Sequence, residues 1–246
     1  MNGISVIVIT KNESHNIVEC LQSVSFCDDI IVVDAESSDS TVALAKEITN
    51  NVFIRPWEGF AAAKRFAVGQ AKNEWILWLD ADERVMSELA EEIQSIVHRQ
   101  PSDAAFTVAR RAYFLGKWIR HSGWYPGRVA RLFHKNRAIF NDAAVHEGLE
   151  INGTIGTLHH DLLHFTDPNL HHYLAKFNRY TTLASGELEK KGKIFKLTDI
   201  IIRPWWQFVK MYIIRGGFLD GIQGLLLALL SSAYVFTKYA KVWEHH

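Results

Sequence analysis

Four short apolar runs, each followed by a stretch of helical composition, fill the first hundred positions. Residues 4–10 (ISVIVIT), 30–34 (IIVVD), 52–55 (VFIR) and 75–79 (WILWL) have the length and branching of strands. The first, second and fourth suit strands buried on both faces of a sheet. Helical stretches come after each: from a cap at Asn12 or Ser14 to about residue 24, from Ser38 or Asp39 through residue 48, over about 60–71, and from a Ser87 cap to about residue 99. This alternation predicts an α/β fold, a doubly wound and mostly parallel sheet with helices on both faces. Ligands of such sheets bind beyond the carboxyl ends of the strands. Asp34, Asp80 and Asp82 stand at those ends.

Residues 104–115 and 128–134 read as further strands, and 139–151 as short strands and turns. Helices follow at 169–189, 197–214 and 218–243. The expected division is therefore an α/β domain over 1–168 and a helical region over 169–246. At 48% hydrophobic and 22% charged residues, the composition argues against disorder. The zero net charge hides an asymmetry: residues 190–246 carry nine Lys and Arg against three Asp and Glu, and residues 1–189 carry 18 against 24. Residues 221–237 hold no charge, but 17 residues that include Gly221, Gln223 and Gly224 fall short of the roughly 20 apolar residues of a spanning helix. With Trp205, Trp206, Tyr239 and Trp243 among flanking lysines and arginines, the tail reads as helices lying in a membrane interface, or as an oligomer contact using the same apolar stripe. Cys20 and Cys27 have no metal spacing and read as buried thiols without a redox role. The histidines at 159, 160, 164, 171 and 172 match no zinc pattern. No signal peptide precedes the first strand, so the catalytic part is expected in the cytoplasm.

Asp80-Ala81-Asp82 is the strongest chemical signal. A strand end that projects two carboxylates into a cleft offers hard oxygen ligands to Mg²⁺ or Mn²⁺, which in turn bridges a diphosphate. Such a cation stabilises the charge that builds on a departing nucleoside diphosphate. Asp34 is placed to accept a hydrogen bond from a uracil N3–H or a ribose hydroxyl, and Asp39 to cap the next helix. The loop Thr10-Lys11-Asn12-Glu13 offers its backbone to the edge of a base. Glu13 either contacts ribose or is a first-turn helix acid. The absence of GxGxxG after the first strand and of GxxxxGK[ST] anywhere argues against NAD-type dinucleotide binding and P-loop kinases.

Three segments in order, SVIVITKNE, IVVDAESSDST and WILWLDADE, resemble the family 2 glycosyltransferases of GT-A fold. GWYPGRVARLF, AVHEGL and RGGFLDGIQGLLLA are similar to a narrower group, the bacterial lipopolysaccharide-core glucosyltransferases that act on inner-core heptose. The pair Ala35-Glu36 departs from the small residues more usual there. The resemblance implies an inverting, metal-dependent hexosyltransferase. It would move glucose from UDP-glucose to a lipid-linked inner-core acceptor, peripherally, at the cytoplasmic face of the inner membrane. It also implies roles: Asp34 on the base, Asp80 near ribose or metal, Asp82 on Mg²⁺ or Mn²⁺, and Lys64 and Arg65 toward the pyrophosphate. Glu147 is the expected base, with Asp142 in reserve and His146 either a metal ligand or the group that orients Glu147. Trp124, Tyr125, Arg128 and Arg131 suit an anionic sugar acceptor, through ring stacking and guanidinium clamping. Two alternatives stand beside this reading: a transferase with a polyisoprenyl-phosphate acceptor, and a nucleotide-sugar-binding protein without catalysis.

Overall fold

The computed structural model describes residues 3–141 and 148–244. In chain order the first elements are β1 (Ile4–Thr10), α1 (Ile17–Ser23), β2 (Asp29–Asp34), α2 (Thr41–Lys46), β3 (Val52–Ile54), α3 (Phe60–Gln70), β4 (Trp75–Asp80), β5 (Glu83–Val85) and α4 (Ser87–His98). Then come β6 (Ala105–Phe114), β7 (Lys117–Trp118), β8 (Arg128–His134), β9 (Ala138–Phe140), β10 (Leu149–Ile151), β11 (Ile155–Thr157) and β12 (Leu162–Asp167). The chain ends in α5 (Leu170–Lys190), α6 (Leu197–Phe208), a π-helical turn (Val209–Ile214), a 3-10 turn (Gly217–Asp220) and α7 (Gly221–Glu244). These elements form two compact units, residues 1–110 with 128–164 and residues 111–127 with 165–246. The expected break at 168/169 thus gives way to an excursion: 111–127 leaves the first unit and joins the second, where Ile119 is buried.

The expected α/β sheet is present, and its strand order is β3-β2-β1-β4-β8-β6-β12-β5. β3, β2, β1 and β4 are parallel, while β8 runs antiparallel to both β4 and β6. The central β1 is buried on both faces because its β-branched run alternates between two cores. Val6 and Val8 join Leu77, Leu79, Ile17, Leu21, Leu89 and Ile93 on one face. Ile7 joins Ile31, Val33, Ile76 and the alanines of α3 on the other.

Several local expectations are corrected. Neither Asn12 nor Ser14 caps α1, which begins at Ile17. Asn12 instead adopts φ 55° and ties two loops together, its N–H donating to Ser37 Oγ and its Oδ1 accepting from the Ser38 N–H. Ser87 is the first helical residue of α4, and its hydroxyl donates to Glu88. Glu83 is wholly buried in β5, which pairs antiparallel with β12. Cys20 is buried and Cys27 partly so, and burial pushes both thiols up.

The second unit is built around Phe114, Ile119, Met211, Leu227 and Ala228, where α7 packs along α5 and α6. A side chain at Gly224 would collide with the Gly217 carbonyl, so glycine there lets the 3-10 turn lie against α7. The helix that runs through 217–244 is, by length and composition, long and apolar enough to cross a membrane, which corrects the shorter span counted from charges alone.

Candidate active site

The carboxyl edge of the parallel strands collects the acids that the sequence singled out. Thr10 pairs with Asp34 across β1 and β2, and Ile9 pairs with Asp80 across β1 and β4. Two strand spacings therefore separate Asp34 from Asp80, roughly 10 Å along the edge. Strand alternation sends them to opposite sides. Asp80 leaves on the α3 side with Ile76 and Trp78, and Thr10 and Asp34 leave on the α1 side with Val8 and Val32.

Asp80 is half-exposed and anchors a charged cluster. Arg131, itself 3% exposed, donates from Nη2 to Asp80 Oδ2 at 2.5 Å and to Glu83 Oε1 at 2.7 Å. Arg110 lies 3.8 Å from the same Glu83 oxygen, and the Asp80 N–H donates to Glu83 Oε2 at 3.1 Å. The Trp78 ring carries the Arg131 guanidinium at 4.2 Å and the buried Lys64 ammonium at 3.7 Å. Burial alone would raise Asp80, but Arg131 first, then Lys64 and His164, outweigh it and hold its carboxyl below the usual range. Glu83 goes the other way: burial, helped by Asp80, outweighs Arg131 and pushes its carboxyl up.

Asp82 sits one turn on, with His164 Nε2 3.5 Å from its Oδ2. Arg84 fixes this turn by donating to the carbonyls of Ala81 and Glu83, both at 2.9 Å, and Cys20 Sγ lies 3.6 Å from the Asp80 carbonyl. Among the described residues no three His, Cys, Asp or Glu side chains form a ready-made metal cage. Asp80 and Asp82, two positions apart, nonetheless offer the hard oxygen donors that suit a divalent cation.

The other expected residues divide. Asp34 is wholly buried and both its oxygens are engaged, accepting from the Ser37 N–H at 2.7 Å and the Ser37 hydroxyl at 2.5 Å. It holds the β2–α2 loop. Thr10 is buried beside it with no partner for Oγ1 among the described residues. Glu13 accepts from Asn16 Nδ2 and donates its N–H to Thr41, and Asp39 accepts from the Thr41 N–H. Arg65 donates to the Phe140 carbonyl and lines a cavity of about 760 Å³ with Val68, Lys135, Arg137 and Ile139. Arg128 donates to the Leu158 carbonyl. Trp124 belongs to the second unit, where it meets Phe114 edge to face at 6.1 Å, so its ring packs in that core. Asp142, His146 and Glu147 lie outside the described residues. Sequence reasoning missed Trp78, Glu83, Arg84, Arg110 and His164. Glu83 and Arg84 directly follow the acidic triplet, which was the available signal, and His164 is brought in by β12 pairing with β5.

The family model for glycosyl transferase family 2 matches residues 5–186. The chain belongs to that family. This family 2 glycosyltransferase is 28% identical over 250 residues to the lipopolysaccharide core biosynthesis glycosyltransferase LpsC of Rhizobium meliloti, covering 99% of this chain and 93% of that one. Its fold is similar to that of the mannosyltransferase PcManGT from Pyrobaculum calidifontis, solved in complex with GDP-Man and Mn²⁺, with a TM-score of 0.57 at 16% identity over 99% of this chain and 88% of that one. It is similar also to S. aureus TarS 1-349 in complex with UDP-GlcNAc, with a TM-score of 0.50 at 14% identity over 97% and 92%.

Proposed function

We propose that this family 2 transferase is an inverting, divalent-cation-dependent hexosyltransferase that moves glucose from UDP-glucose to the inner core of lipopolysaccharide, working at the cytoplasmic face of the inner membrane. The observation that carries the reading is Asp80, gripped by the buried Arg131, with Asp82 in the next turn, at the strand edge that Thr10 and Asp34 also border. Asp80 and Asp82 would hold Mg²⁺ or Mn²⁺, which supplies charge neutralisation to the leaving diphosphate. Lys64, buried beside Trp78, adds positive potential on the same side. Asp34 and Asn12 hold the loops whose backbone borders the base. The likeness to LpsC over nearly the whole chain supports a core-glycan acceptor, and the complexes of the two fold neighbours support a nucleoside diphosphate sugar.

In a single displacement the acceptor oxygen attacks the anomeric carbon as the bond to the diphosphate breaks. The configuration inverts, and the acceptor proton goes to a base. Glu147 is assigned that role. In the Glu147→Gln variant, calorimetry should find donor affinity within about twofold of wild type, while transfer falls by about 10²-fold or more. Wild-type turnover in the variant removes Glu147 from the mechanism.

A further inference from the structure

Helix α6 is inside out. Its buried positions include Asp199 and Pro204, whereas Leu197, Ile201, Ile202, Trp205 and Trp206 are each between 51% and 65% exposed. Leu197, Ile201 and Trp205 recur at every fourth position, as do Ile202 and Trp206, so they form one stripe along the helix. The acid on the buried side is satisfied internally, with Lys193 Nζ at 2.9 Å and Arg203 Nε at 2.6 Å from Asp199. The 3-10 turn of the same unit adds Phe218 and Leu219, both at least half exposed. A soluble helix places such a stripe against its core, and a contiguous outward apolar face marks a binding surface.

We propose that this stripe of α6 is a bilayer-inserting face that lays the second unit flat on an anionic membrane. The inference deepens the membrane part of the proposed function and rests on that reading only for where the enzyme works. Charge selects the occupant. Residues 190–246 carry nine basic against three acidic side chains, and Lys210 and Arg215, just past the stripe, form no ion pair with a described residue. A second copy would bring like charge against like charge, while anionic headgroups complement it. Trp205 and Trp206 have the amphipathic rings that settle at headgroup depth. Helix α7 carries apolar side chains of its own on the outside, Ile222 and Trp243 among them. It packs along α5 and α6, and Lys241 Nζ in its last turn is hydrogen-bonded to Asn178, Thr181 and Thr182 of α5.

The test uses the full chain in vesicle flotation, with phosphatidylcholine alone and with phosphatidylglycerol added. Wild type should float with the anionic vesicles and be stripped from them by alkaline carbonate. Ile201→Glu/Trp205→Glu should lower partitioning by about 100-fold or more, since burial of each large apolar side chain accounts for a factor of about ten or more. Its Tm and its transfer to a detergent-dispersed acceptor should stay at wild-type values, because both side chains are exposed. Undiminished flotation of the variant overturns the proposal. So does resistance to carbonate, which indicates a spanning α7. So does a wild-type dimer by light scattering that the variant dissociates without any flotation. Absence of transfer by wild type in detergent counts against the proposed function and leaves the flotation result standing.

Discussion

Asp82→Asn should lose transfer by about 10³-fold or more while the protein stays folded. The substitution keeps the shape of the side chain and removes the charge, and electrostatic stabilisation of a leaving group of this kind accounts for several kcal/mol of barrier. Asp80→Asn should be as severe in turnover, for a different mixture of reasons. Its carboxylate is held ionised by Arg131, and the amide would leave that buried guanidinium with Glu83 as its remaining acidic partner. Steady-state rates with UDP-glucose and an inner-core acceptor, alongside melting curves, separate the two effects. Either Asn variant turning over within tenfold of wild type would remove that acid from the cation site.

Arg131→Met should have the largest effect on stability, about 3–5 kcal/mol, because it orphans a buried carboxylate. Glu83 would keep Arg110 at 3.8 Å and lose its 2.7 Å partner. The sign of the pH dependence follows from the direction of the Glu83 shift. Its carboxyl is already raised in the folded state, and Arg131 is the group opposing the rise. An acid raised on folding destabilises the native state at pH above its folded pKa, and stability returns as pH falls toward its unfolded value of about 4.3. Asp80 is shifted the other way, so its contribution is lost only below its unfolded value of about 3.9. The defect of Arg131→Met should therefore be larger at pH 8 than near pH 5, and adding Glu83→Gln should restore much of it at pH 8. Urea midpoints at the two pH values measure this. A defect equal at both, or under about 1 kcal/mol, would mean that Arg131 does not hold a buried ion network.

The parallel half of the fold was legible because its signals are local. Residues 6–9 and 75–79 are unbroken apolar runs, and runs of that length and branching suit strands covered on both faces. The acidic triplet was legible for the same reason, since it sits directly on the end of β4. What the sequence hid depends on pairings between distant segments. Glu83–Val85 has three residues and becomes a strand only because β12 lies beside it, and that pairing alone brings His164 to Asp82. Arg131 was visible as a conspicuous arginine, but its partners are 48 and 51 positions away, so it read as an acceptor clamp and not as the anchor of Asp80. The two bonds from Ser37 to Asp34 could not be read from the sequence, because they form through a loop bend at Glu36, φ 56°. On α6 the apolar spacing was evident in the residues, yet which side faces outward depends on how α6 packs against α7.

The proposal that Asp80 and Asp82 hold a cation that receives the diphosphate is tested most directly by titrating UDP into the full chain in a calorimeter, with Mn²⁺ and then with EDTA. The expected result is saturable heat with Mn²⁺ that vanishes in EDTA and in Asp82→Asn. Equal binding of UDP in EDTA, or undiminished binding by Asp82→Asn with Mn²⁺, would contradict it.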